Sequence, residues 1–117
     1  MNYNETELLL QKIKNSITDY YFIFSNNEKN YGFCSYYSLN SKIIKNIIKG
    51  LTIYDLVKVT NSNSEKVYLF VPNLKLVGSN GSSELIRVYF RIKFLDNEKV
   101  IIIDSLFRCD YILEYAF

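Results

Sequence analysis

The hydrophobic pattern of this chain changes period once. In the first half, apolar residues recur every three or four positions. Leu9, Leu10, Ile13 and Ile17, with Lys12, Lys14 and Asn15 between them, predict a helix from Asn4 to Ile17. Ile43, Ile44, Ile47 and Ile48 predict another from Asn40 to Lys49, capped by Asn40 or Ser41 and stopped by a left-handed Gly50. Between them, the aromatic run Tyr20 to Phe24 reads as a short strand, Ser25 to Gly32 as a polar loop, and Phe33 to Leu39 as a helical turn. Thr52-Ile-Tyr-Asp55 has the form of a capping box opening a short helical turn that ends near Lys58.

Beyond a polar loop at Asn61 to Glu65 the period becomes two. Lys66 to Leu76 predicts a strand that is bent or at an edge near Pro72, because proline cannot donate to a ladder. Gly78 to Ser83 is a hairpin connection into a long strand, Glu84 to Leu95. There Ile86, Val88, Phe90, Ile92 and Phe94 alternate with Arg87, Tyr89, Arg91 and Lys93, so one face is a core wall and the other a row of cations around a phenol. Asp96 to Lys99 is a tight turn into an antiparallel strand from Val100 to Ser105. Its Val-Ile-Ile-Ile run predicts a central strand covered on both sides, interrupted by Asp104, for which a salt bridge or turn-end hydrogen bond is expected. Helices first and a meander after give an α+β fold, with N-terminal helices packed on a mainly antiparallel β-meander sheet. The expectation is one domain over residues 1–117, with 109–117 an extra strand or interaction tail.

Composition narrows the chemistry. Hydrophobic residues at 49% and charged residues at 22% suit an ordinary globular chain, and a net charge of +2, too small to establish a nucleic-acid partner, allows one if the cations cluster. With no histidine, histidine triads and histidine pairs are excluded, and acid–base work falls to Lys, Arg, Tyr, Asp or Glu. Cys34 and Cys109 lack metal-ligand spacing, so neither a metal nor a cofactor is expected. Reduced thiols are the expectation, with a disulfide left open. Without a signal-peptide order or a membrane-length apolar run, the chain reads as cytoplasmic, with no membrane partner.

In the row Arg87, Tyr89, Arg91 and Lys93, arginine offers phosphate a planar fork, lysine a mobile point charge, and tyrosine a ring to stack or a proton to hold. The plainer reading is the wet face of a two-sided sheet. Lys58 and Arg108 stand where side chains can converge on a sheet face, and Lys66 and Tyr68 extend the same basic-aromatic surface. The carboxylates show no paired spacing, and Gly78 and Gly81 belong to a turn, not a phosphate-binding loop.

The passage Ile47-Ile-Lys-Gly-Leu-Thr-Ile-Tyr-Asp-Leu56 is followed by Val67-Tyr-Leu-Phe70, Val88-Tyr-Phe-Arg-Ile-Lys93 and Val100-Ile-Ile-Ile-Asp-Ser-Leu-Phe107, and preceded by Glu28-Lys29-Asn30. As an ordered pattern over residues 5 to 108, this resembles the MqsR-like toxins of bacterial toxin–antitoxin pairs, which have the RelE-type fold. The resemblance implies a metal-independent endoribonuclease that cleaves mRNA through 2′-hydroxyl attack, with a cognate antitoxin as protein partner. It matches Lys58 to a catalytic lysine, Tyr89 to the tyrosine of the long strand, and Arg108 to the basic residue after the terminal Phe. RNA-binding roles follow for Lys66, Tyr68, Arg87, Arg91 and Lys93. The family's glutamine on the preceding strand has no counterpart, Tyr68 and Leu69 standing nearest, and Phe107 is followed by Arg-Cys-Asp. A tyrosine or lysine serves as a base near neutral pH only if nearby cations lower its pKa from about 10. The alternative reading is a non-catalytic phage- or plasmid-encoded binding protein, an inhibitor of a defence complex or an adaptor, on the same scaffold. Homodimerisation would use the edge strand near Pro72 or the C-terminal tail.

Overall fold

A computed structural model of the chain describes residues 3–25, 27–62 and 65–109. The element order is helix α1 (Tyr3–Ser16), strand β1 (Tyr21–Phe24), helices α2 (Glu28–Tyr36) and α3 (Ser41–Gly50), then β2 (Leu56–Ser62), β3 (Glu65–Phe70), β4 (Asn73–Val77), β5 (Ser83–Leu95) and β6 (Val100–Arg108). Single 3-10 turns at Ile53–Asp55 and Asp96–Glu98 precede β2 and β6. The fold is α+β, with the helices ahead of a mixed, mostly antiparallel sheet. Beyond Cys109, the expected extra strand or tail lies outside the described residues.

The helices start where side-chain oxygens can take orphan amide protons. Asn27 accepts from the Asn30 N–H, and Asn40 from the Ile43 N–H, each at 2.9 Å. The first of these caps opens α2 at Glu28, well inside the stretch that reads as a polar loop. The stretch gives little warning, because α2 turns only Asn30, Phe33 and Cys34 inward. Gly50 is not a left-handed stop. It is the last helical residue, and the chain leaves through extended Leu51 (φ −65°), whose side chain is buried. Asp55 does accept from the Thr52 N–H at 2.8 Å, but the helical turn closes at Asp55 and β2 begins at once. Lys58 is therefore a strand residue.

The sheet runs β1-β6-β5-β3-β2, with β4 added to β5. β1 is parallel to β6, and the other pairs are antiparallel. β3 and β4 are two halves of one bent strand on the same edge of β5, divided at Val71-Pro72 as the proline predicts. Among the described residues, the helices bury their apolar sides on one face. There Ile86, Val88, Phe90, Ile92 and Phe94 meet Leu10, Ile13, Ile44 and Ile48, all buried. β6 is central, yet it is not covered on both sides by described residues. Ile101 and Ile103 are fully buried toward the helices, while Val100 and Ile102 face the other way and are half-buried.

The two cysteines lie on opposite faces. Cys34 joins the core under the helices, and Cys109 a small cluster with Leu69 and Val71 on the far side. They are not joined to each other, and burial pushes the Cys34 thiol up to about 11.

Candidate nucleic-acid interface

The face of the sheet away from the helices, open at Lys58 and Arg87 and closed over Leu69, Val71 and Cys109, carries the basic row of β5. Residues paired across strands share a face. Lys58 lies opposite Leu69, Leu69 opposite Arg91, and Arg91 opposite Ser105, so these residues form one row across β2, β3, β5 and β6. Lys58 and Arg91 are thus about 10 Å apart at the backbone, two strand spacings.

Both ends of that row are bulged. In β2 the register shifts between Leu56 and Lys58, and in β5–β6 at Arg91/Ile92, where Asp104 is the extra residue. Strict alternation from Leu56 would have turned Lys58 inward and Val59 out. The bulge instead packs Val59 against the core and sends Lys58 to the open face. Strict alternation from Ile103 would likewise have buried Ser105, whereas the bulge buries Leu106 and leaves Asp104 and Ser105 beside Arg91. Apolar burial is the physical reason in both places, since a buried lysine or hydroxyl without a partner is costly. Bulges also recur beside functional sites, where they re-aim side chains.

A bulge leaves backbone groups without ladder partners, and β1 ends opposite Ile103, one residue short of the β6 bulge. Asn30 fills the gap. Its side-chain amide donates to the carbonyls of Ser25 (2.9 Å) and Asp104 (3.0 Å), and its oxygen accepts from the Leu106 N–H (2.9 Å). Asn30 is 1% exposed, and its pairing is complete. It behaves as a substitute strand on the edge of β6.

The open face is less bare of anions than its sequence suggests. Asp104 accepts from Arg91 Nε at 3.0 Å and lies 2.8 Å from Nη2. Glu65 lies 3.7 Å from Lys93 Nζ. Arg87 is exposed. Tyr89 stacks on Phe107 at 5.1 Å between ring centroids and 11° between planes, and Lys29 Nζ, from α2, sits 4.2 Å from the Phe107 centroid. Tyr89 also packs against the Leu69–Val71–Cys109 cluster. Its ring is therefore held between neighbours, which favours a fixed phenol over a free stacking platform. Sequence reasoning misses Lys29 as a residue of this surface and Asn30 as the buried support of the β6 bulge. The only hint is their place in Glu28-Lys29-Asn30.

Three of the expected site residues are not on this face. Arg108 pairs with Val88 on the helix-covered side. There it reaches Glu84 at 3.9 Å and the Tyr37 hydroxyl at 3.5 Å, and that hydroxyl donates to Glu84 at 2.7 Å. Burial, then the Glu84 hydrogen bond, raises the Tyr37 phenol above its usual range, against the pull of Arg108. Tyr68 pairs with Ile92 and is buried among core residues, and its phenol too is raised by burial. Lys66 shares Tyr68's side of β3 and lines a cleft beside α1 with Leu9, Lys12 and Tyr68. The period-two pattern correctly puts Lys66 and Tyr68 together, but their face is the helix-covered one.

The arrangement therefore offers Lys58, Arg91 and Tyr89 on one surface, with Arg87 and Lys93 flanking. An anion on this row would meet guanidinium protons that Asp104 does not use, since arginine carries five N–H donors. Compared with protein-family models and with curated proteins, the chain matches none.

Proposed function

We propose that the open sheet face binds single-stranded RNA and cleaves it by 2′-hydroxyl attack, in the manner of an mRNA-directed toxin of a toxin–antitoxin pair. The observation that supports this reading is the shared row of Lys58 and Arg91, with Tyr89 two residues from Arg91 on the same face. In the reaction, the 2′-oxygen gives its proton to Tyr89 as a phenolate or to Lys58 as a neutral amine, and bonds to the adjacent phosphorus. The bond from phosphorus to the 5′-oxygen breaks, that oxygen takes a proton from the other of these two residues, and a cyclic phosphate remains. Arg91 balances the charge that develops on the phosphoryl oxygens. Asp104 holds its guanidinium in place. Arg108, on the other face, has no part.

Incubation of the purified protein with single-stranded RNA, read for fragments ending in cyclic phosphate, tests this. Tyr89→Phe and Lys58→Ala are expected to slow cleavage by roughly 100-fold or more, the usual contribution of a positioned acid or base. Cleavage undiminished in both variants would overturn the assignment.

A second reading has its own observation. Tyr21 and Ile23, 71% and 38% exposed, share the open face through their pairing with Val100 and Ile102. Apolar exposure beside ion-paired cations suits a non-catalytic protein that presents this face to a protein partner. Capture of a defined protein by this face, with no RNA cleavage by the parent, would favour it.

A further inference from the structure

A separate surface lies on the other side of the molecule, between α3 and the outer edge of β4. It is a groove of about 380 Å³ whose lining includes Ile43, Ile47, Leu74 and Leu76. All four are half-buried, and Ile47, Leu74 and Leu76 pack on the core below, leaving apolar surface in the groove. β4 pairs only with β5 among the described residues, so its far edge is open. Val71 donates outward to the Asp55 carbonyl at 2.7 Å, and Pro72 accepts inward from Val88 at 2.9 Å. By strand alternation, the backbone N–H and C=O groups of Asn73, Lys75 and Val77 point outward too. Two of these residues, Asn73 and Lys75, line the groove.

Cations outnumber acids around it. α3 and β4 together hold Lys42, Lys45, Lys49 and Lys75 and no carboxylate. Lys45 lies over the Phe22 ring, away from the groove. Lys42 and Lys49 are exposed and, at 3.6 residues per turn, border the Ile43–Asn46–Ile47 face of the helix. Lys75 is exposed on β4 and, paired with Leu85, lies on the sheet face that carries Arg87. Asp55, the acid in the lining, is committed to the Thr52 N–H and hydroxyl.

We propose that this groove docks an extended acidic segment of a partner protein. The segment adds a strand to β4, sets alternate apolar side chains on Ile43, Ile47 and Leu74, and turns the carboxylates between them to the other face, beside Lys75 and within the field of Lys42 and Lys49. Strand addition supplies the affinity through the main chain, and the pockets and lysines supply the choice of sequence. A chain with lysines in place of the acids is rejected by like charge.

The probe is a fluorescein-labelled peptide of alternating Leu and Glu, with a Leu/Lys peptide as control, titrated into the intact protein by anisotropy. The Leu/Glu peptide binds, the Leu/Lys peptide does not, and Lys49→Glu/Lys75→Glu weakens binding at least tenfold. These exposed substitutions leave the melting temperature in place, so loss of binding is not loss of fold. Arg91→Ala, on the open sheet face, leaves peptide affinity unchanged even if it abolishes every effect on RNA. Absence of Leu/Glu binding, or equal binding by the charge-reversed variant, overturns the proposal. So does concentration-dependent dimerisation, or RNA capture, that the same two substitutions abolish, since the occupant is then a second copy or a nucleic acid.

Discussion

Lys58 and Arg91 stand in one row of the sheet with Leu69 between them, and a register shift in β2 is what puts Lys58 there. The row ends at Ser105 and the bulged Asp104, which holds Arg91 through Nε and Nη2. An anion site on this surface is therefore built around an arginine that already has a carboxylate.

The first consequence concerns that carboxylate. In Asp104→Asn the Arg91 guanidinium loses its counter-charge and is freer to meet phosphate. Affinity for single-stranded RNA is expected to rise at low salt, and the dependence on salt to steepen by about 0.7 in the log–log slope for one added phosphate contact. Stability should change by only about 1 kcal/mol, because the pair is partly exposed, with side chains 40% and 21% accessible. Filter binding over a salt series checks both directions, and an unchanged or shallower slope removes Arg91 from the RNA surface.

The two faces should also separate in function. Arg108→Ala and Lys66→Ala act on the helix-covered side and are expected to leave RNA affinity within about twofold. Arg87→Ala and Arg91→Ala should each weaken it and flatten the salt response, because a surface that neutralises fewer phosphates releases fewer counterions on binding. If Arg108→Ala matched Arg91→Ala in its effect, RNA would have to reach around the sheet edge, and the open face would not be the site.

Asn30 makes a prediction about stability. Asn30→Ala leaves the Asp104 carbonyl, the Ser25 carbonyl and the Leu106 N–H without their side-chain partner. Each unsatisfied buried group costs about 1 to 3 kcal/mol, and water can reach some of them, so a loss of about 3 kcal/mol is expected in urea unfolding. A loss under about 0.5 kcal/mol would mean that β6 rearranges without its bulge. In that case Asp104 should also leave Arg91, and RNA binding over a salt series would detect the change.

A fourth prediction is the acid response of the turn before β6. The Asp96 carboxyl is held below its ordinary value of 3.8, chiefly by hydrogen bonding to Lys12 and then to Tyr20. The Lys12 ammonium is correspondingly raised above 10.5, first by the hydrogen bond to Asp96. A lowered acid stabilises the fold above its unfolded pKa, and that contribution fades as pH falls through the folded value. A raised lysine contributes below 10.5, and the contribution fades as pH rises through its folded value. Lys12→Met should therefore be less stable than the parent at pH 7, with the difference narrowing below about pH 3.8 and above about pH 10.5. A difference constant from about pH 2 to 7 would show that packing, not the ion pair, sets the effect.

What the sequence determined by itself is local periodicity. The alternation from Ile86 to Phe94 is legible because successive strand side chains point to opposite faces wherever the strand lies. The α3 stripe, its Asn40 cap and the bend at Pro72 are legible for the same local reason, and Asp104, alone among apolar neighbours, announces its ion pair. Tertiary structure decided how one strand's two faces line up with the next strand's. A one-residue change of register exchanges the faces, and sequence period carries no information about register between strands. Tyr68 and Lys66 thus fall on the core side, Tyr68 opposite Ile92, and the β6 bulge sends Arg108 there as well. The same kind of shift, in β2, brings Lys58 out onto Arg91's row. Pairing across strands is where packing of the half-buried Val59 and burial of Leu106 outweigh regular alternation, and those two residues decide which charges share a surface.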